Sequence, residues 1–131
     1  MGESTHIVTK YQGPKGKLIT DKGFEIPLGA SNEAAIPYEL LLGGLSYCLY
    51  MTYESIAKKM HVEADSVDLD IVGVKRDDKI GMLETVTIKV DAKGVNDEAK
   101  FTKAFETGTR YCSVFNTLSQ IAEMKWDINF Q

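Results

Sequence analysis

The sequence predicts an α+β fold formed by a single domain over residues 1–131. One long stretch, 37–60, has the length of a helix and carries no charged residue from Leu40 to Tyr53. Two segments, 65–75 and 82–92, alternate polar and apolar residues, which is the period of a half-buried strand. Predicted strands are clustered rather than alternating strictly with helices, and this grouping is typical of α+β proteins.

Three short strands are predicted at the N-terminus, over residues 5–12, 17–20 and 24–28. Glycine and proline in Gly13-Pro14-Lys15-Gly16 favour a turn after the first strand, and Asp21-Lys22-Gly23 favours another after the second. Because both connections are short, we expect a three-stranded meander.

The long helix is predicted to begin at Pro37, since proline is favoured in the first turn of a helix. It ends near Met60, where Lys58 and Lys59 complement the negative helix C-terminus. The uncharged run is shorter than the ~20 apolar residues that a membrane span needs, so no membrane partner is expected. A helix that is apolar on nearly all sides needs cover on several sides, and we therefore predict a homodimer.

Gly43-Gly44 lies inside this helix, where each glycine costs about 1 kcal/mol relative to alanine. The pair indicates either a kink or the close approach of another helix, and we favour close packing.

The second half of the chain is predicted to contain a hairpin, two helices and a final strand. The hairpin joins residues 65–75 to 82–92. Asn96 or Asp97 is expected to cap a helix that ends near Gly108. A second helix over 112–124 and a strand over 126–130 complete the order β-β-β-α-β-β-α-α-β.

Composition and charge exclude several functional classes. The net charge is −4, the pI is about 5.2 and no long Lys/Arg run occurs, so nucleic acid is not an expected partner. No apolar signal segment is visible at the N-terminus, and we expect a cytoplasmic protein. In that compartment two cysteines are more often reduced, catalytic, redox-active or buried than joined in a structural disulfide.

The two cysteines lie in different sequence contexts. Cys48 is in the middle of the long apolar helix, where burial would raise the pKa of the thiol, so on the residues alone it is a small buried hydrophobe. Cys112 opens a helix two residues after Arg110, and we expect the N-terminal N–H groups and the guanidinium to make it the more acidic thiol. His6 and His61 lack the short-range pairing of zinc ligands, so no metal site is expected.

Two segments together resemble the OsmC/Ohr family, which comprises osmotically inducible protein C and organic hydroperoxide resistance proteins. Residues 37–48, PYELLLGGLSYC, resemble the family's P-x-E-L-L-L-x-x-x-x-x-C helix start, and Tyr111-Cys112-Ser113-Val114 resembles its second cysteine motif. The predicted order of elements matches the fold of that family. The resemblance implies an intertwined homodimer whose long helices cross at the centre.

The resemblance also implies a thiol peroxidase that reduces organic hydroperoxides during oxidative stress. Cys48 would attack the peroxide and become a sulfenic acid, and Cys112 would condense with it to form a disulfide. An external dithiol would restore both thiols, without a metal or a bound cofactor.

The sequence departs from the active family members at the groups that activate the thiol. These are an arginine on an early strand or loop and a glutamate beside the proline, which is here carried over to Glu39, two residues after Pro37. Arg76 and Arg110 are the only arginines, so the substitute in the N-terminal meander would be a lysine, unless Arg110 reaches across. We therefore rank a weak or altered peroxidase above an efficient one.

Two other functions remain open. The protein could be a non-catalytic dimer that binds a small apolar molecule, with both cysteines as passive lining. Alternatively, it could be a redox sensor in which the disulfide forms stoichiometrically and changes partner binding.

Overall fold

A computed structural model describes residues 2–131 and has the predicted α+β architecture and order of elements. The chain divides into two compact units, residues 1–41 and 42–131. The elements are β1 (Ile7–Gln12), β2 (Lys15–Thr20), β3 (Glu25–Leu28), α1 (Pro37–Lys59), β4 (Ser66–Lys75), β5 (Leu83–Lys93), α2 (Glu98–Tyr111), α3 (Ser113–Ser119) and β6 (Glu123–Phe130). Whether the chain forms one domain stays a prediction.

The unit 1–41 contains the predicted meander, an antiparallel sheet in the order β1-β2-β3. Tyr11 pairs with Gly16 across the first two strands, and a Cβ atom at Gly16 would lie 2.6 Å from the Tyr11 ring. Glycine at this position lets the aromatic ring lie over the neighbouring strand, a cross-strand contact that stabilises the hairpin.

Helix α1 begins in this unit with a reciprocal cap. The backbone N–H of Glu39 donates to the carbonyl of Ile36 at 3.1 Å, and the Glu39 carboxylate accepts the N–H of Ile36 at 2.9 Å. A glutamate at the third helical position that reaches back in this way satisfies a backbone donor without an intrahelical partner.

In the unit 42–131, α1 buries one stripe at four-residue spacing: Leu45, Leu49, Tyr53 and Ala57. The opposite face stays exposed, with 65% of Tyr47 and 47% of Met51 accessible. Gly43 and Gly44 lie in open space, because a Cβ at either would meet no atom within 4 Å outside the helix's own backbone. The close packing that we predicted for them therefore does not occur within the described part of this chain.

The second sheet has the order β4-β5-β6, and its central strand β5 carries much of the buried core. Strand β4 is antiparallel to β5, whereas β6 returns parallel to β5 after α2 and α3. The ring of Phe101 lies 4.8 Å from Tyr53 and 5.5 Å from Phe130, and that of Phe105 lies 5.1 Å from Trp126. These contacts pack α2 between α1 and the sheet.

The predicted end of the last helix is wrong. Helix α3 ends at Ser119 rather than near Met124, and β6 begins at Glu123 rather than at Trp126. Residues from Glu123 onward pair with β5 beginning at Thr85, so the sheet supplies the partners that a longer helix would have provided. Helix α2 runs past the predicted end, to Tyr111. Within residues 2–131, no helix is long and apolar enough to cross a membrane.

Candidate functional site

The two cysteines, 64 residues apart in sequence, meet in the unit 42–131. The Sγ atoms of Cys48 and Cys112 lie 3.0 Å apart, and both residues are free thiols. A disulfide bond is about 2.05 Å long, so a side-chain movement of about 1 Å would join them. Cys48 is half-buried on α1, whereas Cys112 is completely buried.

Cys112 occupies the break between α2 and α3. Its backbone is extended, with φ −75° and ψ 116°, and it serves as the C-cap of one helix and the N-cap of the next. Its N–H donates to the carbonyl of Gly108 at 2.9 Å, and its sulfur accepts the N–H of Phe115 at 3.4 Å. Cys112 is therefore held by both helices, through its backbone N–H on α2 and its sulfur on α3.

Asn116 fixes this break and was missed by the sequence analysis. Its side-chain amide donates to three carbonyls, those of Thr109 at 3.2 Å, Arg110 at 3.0 Å and Cys112 at 2.8 Å. These carbonyls lie at the end of α2, where intrahelical donors run out. The signal available in the sequence was an asparagine four residues after Cys112, because asparagine side chains readily bond to nearby backbone groups.

The pKa of the Cys48 thiol lies below its ordinary value of 9.0. Burial acts in the opposite direction and is the largest single effect, but hydrogen bonds to the sulfur together outweigh it. The donors are the backbone N–H groups of Val114 and Ser113, the thiol of Cys112 and the hydroxyl of Ser113, whose Oγ is 3.9 Å from the sulfur. The start of α3 therefore stabilises a thiolate at Cys48.

The pKa of Cys112 is raised to about 11, first by burial and then by its thiol donating to Cys48. The expectation that Cys112 would be the more acidic thiol is wrong. At Cys112, burial outweighs the N–H groups of Phe115 and Val114, whereas at Cys48, which α1 brings against the start of α3, the hydrogen bonds outweigh burial. The interpretation of Cys48 as a small buried hydrophobe is also wrong, because its side chain is half-buried and its pKa is lowered.

Contrary to our expectation, Arg110 does not face the thiols. Its guanidinium pairs with Glu106 at 2.8 Å, one turn back along α2, and 61% of the arginine side chain is exposed. In the unit 1–41, Lys17 is paired with Glu25 at 3.4 Å. Hydrogen bonds rather than Arg110 are therefore the main support for the Cys48 thiolate.

Glu39, the other candidate catalytic residue, lies in the unit 1–41, where its carboxylate caps α1. Its catalytic role stays a prediction. His6 bonds to Asp21 at 2.6 Å in the same unit, and His61 is exposed after the end of α1. Within residues 2–131, no three His, Cys, Asp or Glu side chains converge as metal ligands would.

A groove of about 420 Å³ runs between α1 and α2, and neither cysteine is among its lining residues. It is lined by Met51, Thr52, Ser55, Ile56, Thr107 and Tyr111. Thr52 donates its hydroxyl to the carbonyl of Cys48 at 2.8 Å, and Tyr111 precedes Cys112. One lining residue therefore hydrogen-bonds to the backbone of Cys48, and another is adjacent to Cys112 in sequence.

Comparison with known proteins identifies the family. The sequence model of OsmC-like proteins matches residues 30–127, a span that includes α1 and both cysteines. The chain belongs to the OsmC-like protein family. No curated protein matches the chain significantly.

Solved structures confirm the OsmC-like fold. The OsmC-like protein of Mycoplasma pneumoniae superposes with a TM-score of 0.88 at 17% identity, covering 99% of each chain. A hypothetical protein of Aquifex aeolicus gives 0.83 at 23% identity, again over 99% of each chain. The organic hydroperoxide resistance protein OhrB of Bacillus subtilis gives 0.71 at 18% identity, over 97% of this OsmC-like chain and 98% of OhrB.

Proposed function

We propose that this OsmC-like protein is a thiol-dependent peroxidase that reduces organic hydroperoxides. The observation that carries the proposal is the 3.0 Å contact between two thiols of opposite character, one with a lowered pKa and one with a raised pKa. A peroxidase that uses two cysteines needs such a pair, since the attacking sulfur must be a thiolate and the second must wait as a thiol. Similarity to organic hydroperoxide resistance proteins supports the choice of substrate.

In the first step, the Cys48 thiolate attacks the distal oxygen of the hydroperoxide. The O–O bond breaks, the sulfur is oxidised to a sulfenic acid, and the substrate leaves as an alcohol after taking up a proton. The N–H groups of Ser113 and Val114 favour the thiolate form of the sulfur before the attack. Access to peroxide is through the exposed part of Cys48, because Cys112 is fully buried.

In the second step, the sulfur of Cys112 attacks the sulfenic sulfur of Cys48. A disulfide forms, the S–O bond breaks, and the sulfenic hydroxyl leaves as water after taking up the Cys112 proton. The 3.0 Å separation places the two sulfurs for this condensation. An external dithiol then reduces the disulfide and is itself oxidised, so the cycle uses neither a metal nor a bound cofactor.

The apolar α1–α2 groove supports an organic rather than an inorganic peroxide. Met51 and Ile56 offer apolar surface to the carbon chain of an organic hydroperoxide, and hydrogen peroxide lacks such a chain.

We further propose a homodimer that covers the exposed α1 face at Gly43, Gly44 and Tyr47. Two free thiols suit a reducing compartment, so we place the protein in the cytoplasm.

Peroxide consumption tests the proposal. Reduced protein would receive cumene hydroperoxide or hydrogen peroxide with excess dithiol, alongside Cys48→Ser and Cys112→Ser. We expect multiple turnovers that are faster with cumene hydroperoxide and that disappear in Cys48→Ser. Consumption no faster than in Cys48→Ser would contradict the proposal.

The same assay separates the other functions. A redox sensor would form the Cys48–Cys112 disulfide stoichiometrically, once per chain, without multiple turnovers. A non-catalytic binding protein would consume no peroxide, and its apolar ligand would remain bound in the Cys48→Ser, Cys112→Ser double variant.

A further inference from the structure

A second cavity of the unit 42–131 lies at the C-terminal half of α1 and plays no part in the thiol chemistry. It has a volume of about 530 Å³ and is bounded by α1, the connection from α1 to β4 and the residues after β5. Its apolar lining includes Ala57, Val62 and Val67. This volume is in the range of small-molecule sites in proteins.

The hydroxyl of Tyr53 opens into this cavity without a partner. Tyr53 is only 4% exposed, and its ring packs 4.8 Å from Phe101 and 6.2 Å from Phe105. Among residues 2–131 no group hydrogen-bonds to its hydroxyl. Every described polar side-chain atom that is sealed from solvent has a hydrogen-bond partner, so the Tyr53 hydroxyl is not sealed from solvent. The hydroxyl is therefore accessible, and Tyr53 is one of the residues that line the cavity. Its pKa is raised to about 12, mainly by burial, so it stays protonated and can also accept a hydrogen bond.

The cavity is negatively charged. Glu54, Glu63 and Asp65 contribute three carboxylates, whereas Lys58 contributes the only cation among the lining residues. The Lys58 ammonium lies 3.8 Å from the Glu54 carboxylate and its side chain is 78% exposed, so it neutralises at most one of the three. Tyr50 donates its hydroxyl to Glu54 at 3.0 Å and fixes that carboxylate at the cavity wall.

We propose that this cavity binds a small organic ammonium ion. The ammonium group would donate hydrogen bonds to the Tyr53 hydroxyl and the Glu54 carboxylate. Its hydrocarbon part would lie against the tyrosine rings and the apolar lining, where burial of apolar surface favours binding. The aromatic and aliphatic walls favour an organic cation over a metal ion, since hard cations are held by converging oxygen ligands. The site is independent of the proposed peroxidase activity.

The test is an NMR titration of the full chain at pH 7 with 2-phenylethylamine, which is protonated at this pH. 2-Phenylethanol, of nearly the same shape but neutral, is the control ligand. We expect saturable amide shifts in Tyr53, Glu54 and Asp65 with the amine, and binding by the alcohol that is at least about tenfold weaker. Equal binding of the two compounds, shifts at other surfaces only, or no saturable binding of the amine would overturn the proposal.

Two variants and one matched control sharpen the test. Glu54→Gln removes the fixed charge and Tyr53→Phe removes only the unpartnered hydroxyl, and we expect each to weaken amine binding about fivefold. Glu106→Gln removes a similarly exposed carboxylate outside the cavity and is expected to leave binding unchanged. If Tyr53→Phe fails to fold, Glu54→Gln and Glu106→Gln decide the question, and equal effects of these two would refute the site.

Discussion

The pKa values of the two thiols differ because of the groups that the fold packs against each sulfur, not because of the residues beside them in sequence. Cys48 lies within a helix, which by itself gives no reason for acidity, yet its sulfur faces the N–H groups at the start of α3. Cys112 caps α3, yet burial and donation to Cys48 keep it protonated. The comparison teaches that a helix N-terminus activates the group that tertiary packing brings against it, which can belong to another element.

Removing the attacking sulfur should have the largest effect. In Cys48→Ser, the weakly acidic hydroxyl replaces the thiolate, so we expect peroxide turnover to fall by at least about 100-fold. Peroxide consumption with excess dithiol measures it. Unchanged turnover would mean that Cys112 is the nucleophile and that the two thiols have the opposite roles.

Replacing Cys112 separates its two contributions, as resolving thiol and as hydrogen-bond donor. In Cys112→Ala the sulfenic acid should persist and the Cys48 pKa should rise by about one unit, because a hydrogen bond to a charged group is worth about 1.5–3 kcal/mol. Cys112→Ser cannot form the disulfide but keeps a donor, so its Cys48 pKa should stay closer to that of the unchanged protein. Sulfenic-acid trapping and thiolate absorbance measure the two effects, and equal pKa values in both variants would contradict the donor role.

Loosening the α2–α3 break should reduce the difference in pKa between the two thiols. Asn116→Ala leaves the carbonyls of Thr109, Arg110 and Cys112 without the amide donor, and we expect the free energy of unfolding to fall by about 1–3 kcal/mol. The Cys48 pKa should rise, since the N–H groups that face it become less well placed. Asn129→Ala, which removes one exposed hydrogen bond to Asp91, is the control and should leave the Cys48 pKa unchanged. Loss of stability with no change in that pKa would limit Asn116 to a structural role.

The smallest effect is expected from the Ser113 hydroxyl. Its Oγ is 3.9 Å from the Cys48 sulfur, a long contact for a hydrogen bond even to sulfur. Ser113→Ala should therefore raise the Cys48 pKa by only a few tenths of a unit, because the backbone donors remain. A rise as large as that in Cys112→Ala would show that the hydroxyl, not the backbone, is the main donor.

The sequence was sufficient to predict the fold and to single out Cys48 and Cys112 as candidate site residues, but not to predict which thiol is the more acidic. Period-two segments predicted β4 and β5, because alternation follows directly from strand geometry. The end of α3 was misplaced, since its length depends on where β6 begins to pair with β5. The acidity of Cys48 could not be read from its neighbours in sequence, because its donors lie 65 and 66 positions away at Ser113 and Val114.

The central claim is that Cys48, rather than Cys112, is the more acidic of the two thiols. Alkylation of the reduced protein by iodoacetamide from pH 5 to 12, with each cysteine quantified separately by mass spectrometry, tests it most directly. The pH midpoint is the readout, because limited access lowers a rate without moving its midpoint. We predict a midpoint below 9.0 for Cys48 and one near 11 for Cys112. A lower midpoint for Cys112 than for Cys48 would contradict the account.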